Sequence, residues 1–144
     1  MAVLSYNSAQ KKSRDSKRKQ DLAAIQKALE LAKQDSAGQA YYPNCDATAT
    51  FDGDWCLLQN DSTESTNPDL FPAYIKSLPY DPTRGTSSWL YTGYDYYPSN
   101  CSANGCTRYQ LKACAENYKD PQAVVTVCGG GGEPPYAFIV SGGY

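Results

Sequence analysis

The chain has 144 residues, with thirteen Lys/Arg against fifteen Asp/Glu and no His. That length suits a single domain with its own core and an appendage, and the lack of His excludes ordinary His-based zinc sites and His general-base catalysis. Charge is unevenly placed: residues 1–33 carry a net +5 and residues 34–144 a net −7, a basic rod on an acidic head, which argues against nucleic-acid binding by the head.

Residues 2–35 contain no Pro or Gly, and their second half is rich in Ala, Leu, Lys, Gln and Glu, so a long helix is predicted. Leu22, Ile25, Leu29 and Ala32 share one helical face, which predicts that residues 21–35 pack on a core. Extending that seam backwards meets Arg18, Asp15 and Lys11. Residues 1–20 therefore lack an apolar face and are expected to project. Ser36-Ala37-Gly38 marks the helix end, with Gly38 suited to a left-handed cap. Ala2-Val3-Leu4 is too short an apolar run for a signal peptide or membrane span, and is expected to be the trace of a longer apolar segment.

Residues 36–144 form the expected globular head. Gly38 to Pro68 reads as a long irregular connection, with Asp52-Gly53-Asp54 a turn rather than a calcium loop, since the full ligand pattern is absent. A short helix is predicted from near Pro72, stopped by Pro79-Tyr80-Asp81-Pro82. Trp89–Tyr97 and Thr107–Glu116 read as strands; in the second, Tyr109, Leu111 and Ala113 alternate with Arg108, Gln110 and Lys112. Asn104-Gly105 between them predicts a hairpin. Ala123–Cys128 and Tyr136–Val140 read as further strands, separated by the glycine run 129–132. The expected fold is α+β: one long N-terminal helix, its C-terminal half packed on a small antiparallel sheet with disulfide-stapled loops.

Six Cys without CxxC spacing imply three disulfides and an oxidising, extracytoplasmic compartment. Six Cys permit many connectivities; local loop closure favours Cys45–Cys56, Cys101–Cys106 and Cys114–Cys128. The hairpin tip, Ser102-Ala103-Asn104-Gly105 with neighbouring Tyr96 and Tyr97, is a candidate binding surface, because a clipped loop is preordered and Tyr offers contact area. The triplets Asn60-Asp61-Ser62 and Asn100-Cys101-Ser102 match the N-glycosylation pattern. No phosphate loop, dinucleotide fingerprint, nucleophile elbow or metal cluster is present in the sequence. No cofactor, metal or catalytic residue is expected.

The run Ser13-Arg14-Asp15-Ser16-Lys17-Arg18-Lys19-Gln20-Asp21-Leu22-Ala23-Ala24-Ile25-Gln26-Lys27-Ala28-Leu29-Glu30-Leu31, followed by Tyr41-Tyr42-Pro43, resembles bacterial type IV pilins and type II secretion pseudopilins. So does Tyr74-Ile75-Lys76-Ser77-Leu78-Pro79-Tyr80-Asp81-Pro82, which is similar to their segment between helix and sheet. The resemblance implies a helix packed by its C-terminal half on an antiparallel sheet. It also implies a filament subunit that associates with like subunits and the pilus assembly machinery. Members begin with a methylated aromatic residue and an apolar segment, which anchors them in the inner membrane before assembly into a surface filament. This sequence lacks that segment, and Met1 is expected to replace it. The calcium pattern of many major pseudopilins is not recognisable here, which with the Cys-rich head tilts the expectation towards a pilin serving adhesion to a host or abiotic surface, or twitching motility. A secretion pseudopilin and a secreted disulfide-rich binding module are the alternatives. In a filament, Lys17, Arg18 and Lys19 would meet carboxylates of adjacent subunits, with Asp15, Asp21 and Glu30 the candidates.

Overall fold

The computed structural model of the protein describes residues 2–35, 41–43, 56–58, 73–83, 94–102, 105–126, 128 and 136–143. Helix α1 runs unbroken over Ala2–Asp35, about 50 Å at ~1.5 Å per residue. Five strands follow: β1 (Cys56–Leu58), β2 (Tyr94–Ser102), β3 (Gly105–Cys114), β4 (Val124–Val125) and β5 (Tyr136–Gly142). They form one antiparallel sheet in the order β1-β2-β3-β5-β4. The fold is α+β.

The sheet's alternation decides its two faces. Tyr96 lies opposite Leu111, which lies opposite Val140, and Ala113 lies opposite Phe138. These side chains, with Tyr94 and Tyr109, pack against Leu22, Ile25, Ala28 and Leu29 of α1. Full burial of an aliphatic side chain of this size stabilises by roughly 1.5–3 kcal/mol, so the seam of the second helical half anchors the helix. The opposite face carries Asp95, opposite Lys112, and the Cys114–Cys128 disulfide against Ala137 and Ile139. This second, smaller cluster explains why the simple alternation of β3 ends at Leu111: Lys112 and Cys114 are buried as well.

The long connection between α1 and β2 returns to the core at three described places, Tyr42, Leu58 and Leu78. Tyr42 is buried, donates its hydroxyl to Glu30 Oε1 (2.8 Å), and forms an isolated bridge to Cys106 through reciprocal backbone bonds of 2.7 and 3.0 Å. Leu58 of β1 is fully buried. This strand was not anticipated, because three residues amid Asn, Asp, Ser and Thr leave no periodicity to read.

Other elements differ from expectation. Residues 73–83 form turns and no helix; prolines at 79 and 82 bias Leu78 and Asp81 away from helical geometry, and both are buried. Pro72 lies outside the described residues, as do Gly38, Asp52–Asp54, the 60–62 triplet and Gly129–Gly132. The strand expected over 123–128 shrinks to Val124–Val125, bounded by a turn in which Ala123 N–H donates to Asp120 O (3.0 Å) and by the tie of Cys128 to Cys114. β2 is described over Tyr94–Ser102, past the expected end at Tyr97, β3 runs over Gly105–Cys114 where 107–116 was expected, and β5 continues to Gly142. Residues 89–93 lie outside the described set.

Candidate functional site

The polar half of α1 is where the chain's charges converge. Asp15 and Arg18 sit one turn apart on the seam of Leu22, Ile25 and Leu29, so they face the head, and both are buried, at 1% and 0% exposure. Arg18 directs all five of its N–H groups at acceptors. Nε and Nη2 donate to the two carboxylate oxygens of Asp81 (2.7 and 2.9 Å), the bidentate fork that guanidinium geometry favours. Nη1 donates to Asp15 Oδ1 and Glu116 Oε1 (2.7 Å each), and Nη2 also reaches Thr83 Oγ1 (3.3 Å).

Each partner is itself held. Asp81 accepts from the backbone N–H (2.8 Å) and hydroxyl (2.6 Å) of Thr83, fixing the turn after Pro82. Asp15 accepts the backbone N–H groups of Glu116 (3.0 Å) and Asn117 (2.7 Å), just beyond β3. Glu116 also receives Arg14 through two bonds of 2.8 and 2.5 Å. Burial would lower the Arg18 pKa, but the hydrogen bonds and charge of Asp81, with Glu116 and Asp15, outweigh it and hold the guanidinium above its ordinary value. Burial pushes Glu116 up, and Arg14 and Arg18 together pull its carboxyl below the ordinary glutamate value.

The flanking charges continue this clasp. Lys17 pairs with Asp21 one turn on, and Asp21 accepts the Tyr94 hydroxyl (2.7 Å). Burial, then the Asp21 bond, raises the Tyr94 pKa. Lys19 reaches Asp120 (2.8 Å) and lies over the Phe138 ring at 5.1 Å. Glu30 accepts from Tyr42 and, at 3.3 Å, from Tyr109.

This geometry corrects the expected assembly charges. Lys17, Arg18 and Lys19 find their carboxylates within the chain, and Asp15, Asp21 and Glu30 are engaged there too. Arg18 is the centre of a buried network, and its charge cannot be reversed while the head stays intact. The expected boundary at residue 20 moves as well: contact with the head begins at Arg14. From Ser5 to Ser13 every side chain is exposed. Lys11 and Lys12 lie in that stretch, and neither forms an ion pair with another described residue.

The second candidate surface is reduced. Tyr96 is fully buried and donates to Pro43 O (2.7 Å), so it offers no contact area: its even step along β2 turns it towards the helix. Tyr97 points to the other face, where Lys112 donates to its hydroxyl (2.9 Å). Ser102 is exposed and Gly105 half-buried, whereas Ala103 and Asn104 lie outside the described residues. Cys101 bonds to Cys106. Because Cys106 uses its backbone groups on Tyr42, its pairing with Cys101 is the closer, non-hydrogen-bonded kind, which suits a cross-strand disulfide. Gly105 has φ +120°, and a Cβ there would meet Tyr42 O at 2.8 Å, so the tip needs glycine. Asn100 takes φ 54° and donates to Thr107 Oγ1 (2.6 Å) across the ladder. Cys114 bonds to Cys128; the pairing proposed for Cys45 and Cys56 falls outside the described residues at Cys45.

Sequence reasoning missed Asp81 and Glu116. The signal was present in the seam itself, since a charged residue continuing an apolar stripe is a buried residue in need of a partner.

Among the described residues no group of three His, Cys, Asp or Glu could hold a metal ion, and no helix is long and apolar enough to cross a membrane. No protein-family model, no curated protein and no solved structure matches the chain.

Proposed function

We propose that the chain is a structural subunit of a type IV pilus-like filament, serving surface adhesion or twitching motility, with no catalytic role. The observation that carries this reading is the division of α1. From Arg14 onward it is bound to the head, and from Ser5 to Ser13 its side chains are exposed, with Lys11 and Lys12 among them. A basic helical stub of this kind is a handle for other helices. The resemblance of residues 13–31, 41–43 and 74–82 to pilins supports the same reading, as does the α+β fold. On this reading the partners are further copies or related pilins, the assembly machinery and a surface. The protein is anchored in the cytoplasmic membrane through an apolar segment before assembly, and lies outside the cell afterwards.

The test is immunogold electron microscopy of the source cells with antibodies to residues 36–144. Labelled surface filaments are the expected result. Label confined to the cell envelope, in cells whose protein export fails when the locus is deleted, would replace the pilus by a secretion pseudopilus. Label only in the culture fluid would leave a secreted binding module.

A further inference from the structure

The two halves of α1 are attached to the head by different forces. Leu22, Ile25, Ala28 and Leu29 are held by apolar packing. Arg14 to Asp21 are held by polar contacts to the head: Arg14 to Glu116, Arg18 to Asp81 and Glu116, Lys19 to Asp120, Asp15 to the backbone N–H groups of Glu116 and Asn117, and Asp21 to the Tyr94 hydroxyl, while Arg18–Asp15 and Lys17–Asp21 pair within the helix. The head side of this junction is made of three separate pieces: the turn at 81–83, the segment after β3 at 116–120, and the Tyr94 hydroxyl of β2. We propose that this junction is an acid-releasable joint, which frees the helix up to about Asp21 while the following turns stay docked.

The sign follows from the groups that face Arg18. On α1 these are Asp15 and, alongside, Arg14; from the turn, Asp81 and Thr83; from beyond β3, Glu116. Every acceptor except Thr83 is a carboxylate. Protonating Glu116 removes the shared partner of both arginines and leaves Arg18, a buried guanidinium, short of charge, a costly state. What remains to hold the segment is Lys19 over the Phe138 ring and Asp21 on the Tyr94 hydroxyl, little against the tendency of a polar helical stretch to fray. In the apolar half the carboxylate facing the head is Glu30, which accepts from the neutral hydroxyls of Tyr42 and Tyr109, so that half rests on packing and not on a buried cation. The joint works in the isolated chain and does not rest on filament formation.

The experiment is amide NMR relaxation on the full 144-residue chain between pH 7 and pH 3. At pH 7, residues 14–32 should share rigid order parameters of about 0.85. Towards pH 3, residues 14–21 should fall below about 0.6, while residues 22–32 and strands β3 and β5 keep their values. The double substitution Asp81→Asn and Glu116→Gln should produce the released state at pH 7. If that variant does not fold, the wild-type titration decides alone. Residues 14–21 remaining rigid at pH 3, or losing order in the same step as residues 22–32 and the sheet, would overturn the proposal.

Discussion

Arg18 shows how one buried residue can be both indispensable and replaceable. Truncating it to Ala leaves Asp15, Asp81 and Glu116 facing one another without their cation. Breaking a buried pair from one side costs about 3–5 kcal/mol, so Arg18→Ala should lower the urea midpoint sharply. Replacing Arg18, Asp81 and Asp15 together with apolar residues should recover most of that loss, because no charge is then stranded. The same measurement against pH tests Glu116. Its folded pKa lies below the unfolded value, so its contribution is complete above the ordinary glutamate value of 4.5 and is lost as pH falls through the folded one. Glu116→Gln should therefore lower stability at pH 7 and flatten the acid limb below about pH 4.5. A parallel downward shift of the whole curve would contradict this. Gly142 tests packing: a side chain there would run into the Tyr109 ring, which lies against Tyr42 at 4.6 Å. Overpacking typically costs about 1–3 kcal/mol, and Gly142→Ala should fall in that range by thermal unfolding.

Among the elements, the hairpin β2–β3 was the most legible in kind, since the alternation at Tyr109, Leu111 and Ala113 marks the face of β3; its register was not, because Gly105, read as part of the turn, belongs to the ladder opposite Ser102. The helix was equally legible in extent, and its apolar seam named the core residues. Its polar half was not, because the spacing of Asp15 and Arg18 shows which face they occupy but not what lies opposite. Their partners at 81 and 116 are 63 to 101 residues away, and no local pattern encodes such a distance. β1 was illegible for a different reason: at three residues it is defined by its neighbour in the sheet, not by its own periodicity; β4 was anticipated within 123–128 but is only two residues long. The two disulfides differ in what they close. In the loop-entropy view, Cys114–Cys128 should stabilise by about 3 kcal/mol and the shorter Cys101–Cys106 loop by about 2 kcal/mol. Serine pairs at each, compared by chemical denaturation, should rank in that order, with Cys101–Cys106 also loosening the Tyr42 bridge.

For the whole molecule, charge separation is the organising fact. A net −7 head carries a net +5 rod, yet much of the rod's charge is met internally, while Lys11 and Lys12 lie in a stretch, Ser5 to Ser13, that is exposed on every side. On the filament reading proposed above, charge reversal at Lys11→Glu and Lys12→Glu should abolish filaments in the source cell while leaving the melting temperature of the isolated chain within experimental error. Wild-type filament numbers in that variant would show that the exposed lysines only solvate the helix. The earlier expectation placed this role on Lys17 to Lys19, whose partners the folded chain already supplies.

The wide separation along the chain between α1 and the strands that cover it has a consequence for biosynthesis. The helix is the first element made, and its core strands β3 and β5 are among the last. At ~5–20 residues per second, Leu29 waits on the order of 5–20 s before Phe138 exists to cover it. Throughout that interval the nascent helix carries its apolar seam without β5 and beside a run of cations whose carboxylate partners on the head, Glu116 and Asp120, are made late. Its natural companions then are whatever the ribosome exit offers, including targeting factors and the bilayer surface, and slowing elongation between residues 36 and 94 should lengthen that encounter without altering the finished fold.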